Sequence, residues 1–226
     1  MQLKLDAMAE VLKLTSLPLF PLGTVLYPGG LLPLQIFEVR YLDMIGKCHK
    51  AGAPFGIISL TQGSEVQRPQ GAGPSGDGFA HEDFGSVGTL ASITEFSVPQ
   101  PGLMMIRCRG TQRFEISSRE KLRHGLWVAN VTRLDDDMRV TIPVDLQRTA
   151  DALGKLIKSL QKRNVPDYQM PLLAPFQFDD CGWVANRWCE LLPIPLELKQ
   201  RLMELDNPLL RLELVSDILD RTGIAL

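Results

Sequence analysis

The sequence predicts an α+β fold, with strands in the first half and helices in the second. Three observations carry that expectation. Strand-like runs recur at Val87–Pro99, Leu103–Arg109, Gln112–Ile116 and Leu126–Leu134. After Asp135, Asp136 and Asp137 the apolar period changes from two to 3.6, with Leu146, Ala150, Leu153, Ile157 and Leu160 on one helical face. Strands and helices do not alternate regularly, which argues against a wound parallel sheet.

The 226 residues suffice for a real core, and a hydrophobic content of 45% with 22% charged residues is ordinary for a soluble globular chain. A net charge of −2 gives no global reason to expect nucleic acid or an anionic membrane as partner. The longest apolar stretch, Leu17 to Phe37, is interrupted by prolines and glycines and does not read as a membrane span. Lys4, Asp6, Glu10 and Lys13 break up the N-terminal apolar residues, unlike the core of a signal peptide. The expected location is therefore cytoplasmic. The expected divisions are an extension over residues 1–14, a β part over 15–137 and a helical part over 138–226.

Pro18, Pro21, Pro28 and Pro33 fix φ and lack a donor, so residues 15–35 read as short extended pieces with a turn at Tyr27–Gly30. From Phe37, the positions Tyr41, Met44 or Ile45, and Cys48 follow helical spacing, and Gly52 and Pro54 end that helix. Phe37, Tyr41 and Met44 are expected to pack inward. Residues 55–60 read as a buried strand. Residues 61–86, rich in Gly, Pro, Ser and charge, read as a long surface loop. In Leu103–Arg109, alternation puts Met104, Ile106 and Cys108 on an apolar face and Met105, Arg107 and Arg109 on a wet one. Gly102 and Gly110 are expected as turn residues.

In the second half, Asp145 is the expected cap of the first helix. Asp179 or Asp180 should cap a second helix, which carries Trp183 and Trp188 as core. Pro195 opens a third. Asp206-Asn207-Pro208 reads as a helix restart, a cap followed by Pro at the first position, and Gly223 stops the last helix.

The run LPLFPL, the VLYPGG turn and PLQIFEVRYLDM, followed by GTLASI, PQPG and a Gly110-x-x-Arg113-Phe114-x-Ile116 element, resemble the N-terminal substrate-recognition domain of Lon proteases. The resemblance continues through ELLPIPLELKQRLMELDNPLLRLELV and spans roughly residues 16–220. It implies a curved, PUA-like β pseudo-barrel plugged by the early helix, followed by a helical bundle. It also implies a polypeptide-binding role in protein quality control without catalysis.

Sequence chemistry points the same way. The chain contains no GxxxxGK[ST] phosphate loop and no GxSxG elbow, and its histidines, His49, His81 and His124, form no HExxH. The glycine cluster at residues 71–78 lacks the phosphate-loop Lys. Cys48, Cys108, Cys181 and Cys189 are scattered without a CxxC and read as small buried apolar residues. His81, Glu82 and Asp83 read as a solvated loop face, and Asp135–Asp137 as a solvated linker. No catalytic residue, cofactor or metal is expected.

What remains is a binding surface for a polypeptide or protein partner. Phe79 and Phe84 stand in the polar loop without a periodic reason to be core, although folding back onto the barrel is the competing reading. With Met105, Arg107 and Arg109 on the neighbouring strand, they form the expected peptide-binding set. The alternative is an RNA-binding module built on the basic stretch from Arg107 to Arg123, which lacks interleaved aromatic residues for stacking bases. The sequence leaves the oligomeric state open.

Overall fold

A computed structural model of the chain describes residues 12–63, 82–166 and 170–223. It is an α+β structure with a large, mostly antiparallel sheet and a set of C-terminal helices. The strands are β1 (Lys13–Leu22), β2 (Leu31–Ile36), β3 (Phe55–Gln62), β4 (Asp83–Phe84), β5 (Val87–Gln100), β6 (Leu103–Lys121) and β7 (Trp127–Arg133). The helices are α1 (Val39–Ala51), α2 (Gln147–Lys162), α3 (Cys181–Leu191), α4 (Leu196–Glu204) and α5 (Pro208–Thr222).

The sheet closes on itself. Its order is β1-β7-β6-β5-β3, and β1 also pairs in parallel with β3. The ring of five strands is the expected curved pseudo-barrel. Beyond the ring, β2 pairs with the first half of β6 and β5 with its other edge, forming a three-stranded ladder.

Strand β1 shows how prolines fit inside a sheet. With β2 it gives the two strands expected on either side of the Tyr27–Gly30 turn, and it runs unbroken for ten residues. Pro18 lies opposite Val128 of β7, before the pairing with β3 begins at Leu19. Pro21 lies opposite Ile58 of β3, after the pairing with β7 ends. Each proline therefore sits where only one edge of β1 is occupied, so it never stands between two ladders. The Tyr27–Gly30 turn has Pro28 and Gly29 at its centre, Gly29 at φ 76°, and a Gly30 N–H to Tyr27 carbonyl bond of 2.9 Å. That is the pattern of a type II turn.

Gly110 is not a turn residue. It lies inside the continuous strand β6, and a Cβ there would collide with the Tyr27 carbonyl. Its smallness lets the turn seat on β6, where the Gly110 N–H bonds the Gly30 carbonyl at 2.9 Å and the Gly29 N–H bonds the Gly110 carbonyl at 2.8 Å.

Alternating residues of the ring feed two separate clusters. One gathers Leu17, Leu19, Ile58, Phe84, Leu90, Phe114, Ala129 and Val131. The other is closed by α1, whose Tyr41, Met44, Ile45 and Cys48 pack with Phe20, Phe55 and Ile106. Tyr41 stacks on Phe20 with ring centroids 3.9 Å apart. Gly52, at φ 61°, ends α1 as expected. Phe37 corrects the sequence reading: it precedes the helix and is exposed rather than packed.

The helices share a third cluster that includes Leu153, Ile157, Val184, Trp188, Leu212 and Val215, with Trp183 against it. Val25 and Tyr27, from the connection between β1 and β2, belong to this cluster as well. Asp180 caps α3 by accepting the Trp183 N–H at 2.7 Å, and Asn207 caps α5 ahead of Pro208. Asp145 does not cap α2. It lies in a short 3-10 turn (Val144–Leu146) from which α2 continues. Pro195 occupies the cap position of α4 rather than its first turn.

The C-terminal end of α4 has no glycine. Two arginines reach its open carbonyls instead: Arg113 of β6 donates to the carbonyls of Met203 (3.1 Å) and Leu205 (3.3 Å), and Arg211 of α5 donates to those of Leu202 (2.9 Å) and Leu205. Cations suit the negative end of a helix. Asp137 pairs with both arginines, so this residue of the acidic run is a structural counter-ion and not part of a solvated linker.

Candidate functional site

The residues singled out in the sequence do not form one site. Phe79 lies outside the described residues. Phe84 is buried: it pairs opposite Leu60, meets Trp127 edge-on with ring centroids 5.2 Å apart, and carries the Arg119 guanidinium 4.3 Å above its ring. The competing fold-back reading describes this residue. Arg107 is buried as well and pairs with Glu95 at 3.3 Å. Arg109 is half-buried, opposite Leu31 and Ser92. Of the four that are described, Met105 alone is an exposed large apolar side chain.

Glu82 is not the solvated loop residue that its sequence context suggests. Its carboxylate is buried, where it pairs with Arg40 at 3.1 Å, accepts the Trp127 indole N–H at 2.8 Å and lies 3.6 Å from the Lys121 ammonium. Burial pushes this carboxyl up, but the bonds from Arg40 and Trp127 and the nearby charges together hold it below its usual range. Arg40 completes its own set by donating to the Gly125 carbonyl at 2.7 Å and to Glu38 at 3.1 Å. This network pins the strand entering β4 to α1 and β7. A local reading of sequence had no signal for it, because its partners lie 42 and 45 residues away.

The basic stretch is likewise dispersed. Arg113 points into the helices, Arg107 pairs with Glu95, Arg119 with Asp83 at 2.8 Å, and Lys121 with Glu82. Four of its six cations are thus held in pairs or against the helices, while Arg109 is half-buried and Arg123 is exposed.

Four of the nine exposed large apolar side chains among the described residues lie together elsewhere. Phe37 is 55% exposed, Val39 81%, Val98 52% and Met105 42%. All four lie at one end of the β2–β6–β5 ladder. Ile36 pairs with Met104, and Gln35 pairs with Met105, which pairs in turn with Ser97. Phe37 and Val39 follow β2 directly, and Val98 sits in the register shift between Ser97 and Gln100. Met104 packs inward toward α1 and steadies the tip, while His49 of α1 stacks on Phe96 with centroids 4.1 Å apart. Such a tip can take up apolar side chains of another chain, and its Met is adaptable in shape.

A groove of about 480 Å³ lies between the end of β3 (Ser59, Leu60, Thr61) and α4 (Leu196, Glu197, Gln200, Arg201). The Arg201–Glu197 pair on α4 lines it at 2.5 Å and gives it no reactive group. The four cysteines are buried and unpaired with one another. Burial pushes the Cys108 thiol up to about 12 and those of Cys181 and Cys189 to about 11, away from nucleophilic character. Among the described residues, no group of three or more His, Cys, Asp or Glu side chains gathers as a metal site. No described helix is long and apolar enough to cross a membrane.

The sequence profile of the ATP-dependent protease La (LON) substrate-binding domain matches residues 16–221. The chain belongs to this family. Its fold is similar to the crystal structure of a Lon N-terminal domain protein from Xanthomonas campestris, with a TM-score of 0.67 and 27% identity over 90% of this chain and 98% of that one. It also resembles the N-terminal domain of the Mycobacterium avium complex Lon protease, with a TM-score of 0.53 and 19% identity over 89% and 96% of the two chains. The second likeness shows the fold alone. No curated protein sequence matches the chain. Membership in the Lon substrate-binding domain family supports a role in binding substrate or protein, and the domain that matches is not a catalytic one.

Proposed function

We propose that this chain is a non-enzymatic polypeptide-binding protein that engages apolar segments of unfolded or partner chains at the tip formed by Phe37, Val39, Val98 and Met105. The observation that carries this reading is the clustering of four exposed large apolar side chains at one end of the β2–β6–β5 ladder, in a member of a substrate-binding family. Apolar side chains left in water are stabilised by any partner that covers them, at about 25 cal/mol per Å². In this reading residues 15–137 form the binding unit, residues 138–226 form the bundle that supports it, and the protein acts in the cytoplasm as an adaptor for a protease or chaperone.

Fluorescence anisotropy with a labelled, reduced and carboxymethylated model polypeptide tests the reading. Saturable binding to the full chain, weakened about tenfold or more by Phe37→Ser with Met105→Ser, is expected. Absence of binding, or unchanged affinity in that variant, contradicts it.

A further inference from the structure

Helix α2 carries its charge unevenly. Its apolar face, with Ala150, Leu153 and Ile157, is buried in the helical cluster. Its outer face collects cations. From Gly154 to Asn164 the chain reads GKLIKSLQKRN, with four basic residues and no acidic one, in a protein of net charge −2. Lys155, Lys158 and Lys162 follow i, i+3, i+7 spacing and share one stripe, and Arg163 follows directly. All four are exposed. Arg148 at the other end of α2 has Asp220 as partner, but among the described residues no carboxylate pairs with any of these four. Asp151, the nearest acid upstream, accepts from Gln147 instead. Like charges at this spacing repel. Cations suit the last turn of a helix, which accounts for Lys162 and Arg163. Lys155 and Lys158 lie before that turn, and nothing in the helix offsets their repulsion.

The same end of α2 borders a groove. Asn164, at φ 51°, closes the helix: its N–H bonds the Gln161 carbonyl at 3.0 Å, and the Val165 N–H reaches the Leu160 carbonyl at 3.5 Å. This two-bond pattern around a left-handed residue is a common helix stop. The residues just past that stop and residues 170–176 enclose a groove of about 500 Å³. Val165, Pro166, Leu172, Leu173 and Phe176 line it, beside Gln161, which lies between Lys158 and Lys162 on α2. An apolar cleft thus adjoins the cationic stripe.

We propose that this end of α2 is a docking site for an acidic polypeptide segment, with carboxylates along Lys155, Lys158 and Lys162 and one apolar side chain in the groove. Charge complementarity selects an anion, and the apolar lining selects a polypeptide. The stripe spans about 10 Å at 1.5 Å per residue, short enough for a few carboxylates to cover. A groove of this size takes a side chain such as Leu or Phe. A nucleic acid would gain only the charges. Phe176 packs its ring against Phe178 and Trp183, with centroids 5.6 and 6.1 Å away, and the net charge of −2 repels a long polyanion. The site lies on the helices and does not depend on the apolar tip. An adaptor that holds one chain at the tip has here a separate surface for a second.

Fluorescence anisotropy on the full chain tests the site, with a labelled synthetic peptide rich in Glu and Asp around a single Leu as the probe. Saturable binding that weakens as salt rises is expected. Lys155→Glu with Lys158→Glu should weaken it about tenfold or more, and exchanging the peptide's Leu for Ser should weaken it about threefold or more. Both lysines are exposed, so the melting temperature of that variant should match that of the unaltered protein. Phe37→Ser with Met105→Ser should leave this binding unchanged, whatever it does at the tip. Absence of binding, or an unchanged affinity in Lys155→Glu with Lys158→Glu, overturns the inference. So does equal binding of the Ser peptide or of a single-stranded oligonucleotide of the same length. A loss of affinity in Phe37→Ser with Met105→Ser would put the peptide at the tip and overturn it as well.

Discussion

Strand β6 passes through two environments that could hardly differ more. Its first residues, Leu103 to Met105, stand at the apolar tip, where side chains from three elements are left in water. Its middle, Gly110 to Phe114, lies in the joint with the helices, where Arg113 bonds the end of α4, Phe114 is fully buried and Gly110 is too close to Tyr27 to tolerate a methyl group. The joint has paired polar groups and filled space. The tip has apolar groups and no cover. Stability is concentrated in the one and left out of the other, as expected where a surface is kept for a partner. Substitutions in the joint should cost stability. Substitutions at the tip should leave stability unchanged and alter binding.

The largest effect is expected at the buried pair between Glu82 and Arg40 of α1. Glu82→Ala removes the buried carboxylate that faces Arg40, leaving it only Glu38 and the Gly125 carbonyl, and should cost about 3 kcal/mol in chemical denaturation. The Glu82 carboxyl titrates below its usual range when folded. Its contribution is therefore full above 4.5 and lost as pH falls through the folded value. A Glu82→Gln protein should lose this part of its acid sensitivity in denaturant titrations at pH 3–6.

Gly110→Ala comes next. Its methyl group meets a backbone carbonyl and not a flexible chain end, so the turn has to lift off β6, at about 3 kcal/mol measured by thermal unfolding. Tyr27→Phe leaves the ring packed and removes one hydrogen bond to the Lys199 carbonyl, at about 1 kcal/mol. Phe37→Ser with Met105→Ser should shift unfolding by less than about 0.5 kcal/mol per site, since neither side chain is core. A tip substitution as costly as Gly110→Ala would erase the contrast between the two regions.

Much of the fold was legible locally. Helix α1, its Gly52 stop, the Asp180 and Asn207 caps and the Tyr27–Gly30 turn each depend on a few adjacent residues whose conformational preferences are strong. What was not legible depends on distant partners. Arg113 reads as one of a basic series, yet its bonds run 90 and 92 residues ahead to α4. Glu82 reads as a loop residue because Arg40 and Trp127 are remote in sequence. Gly110 reads as a turn because nothing nearby in the chain announces the Tyr27 carbonyl.

The candidate site was legible only at Met105, through strand alternation. Phe37 was assigned to the core because it continues the spacing of α1 one turn too early. The helix begins at Val39, after Glu38, so that spacing does not reach it. Val98 escaped notice because the register shift before Gln100 breaks the alternation there.

Site-specific photo-crosslinking is the measurement that reaches the central claim most directly. A benzophenone side chain placed at Phe37, at Met105 or at Val144, the last 94% exposed in the short turn before α2, is irradiated with an unfolded model polypeptide. The tip account predicts crosslinked product from positions 37 and 105 and none above background from 144. Equal yields at all three positions, or product from 144 alone, would contradict it.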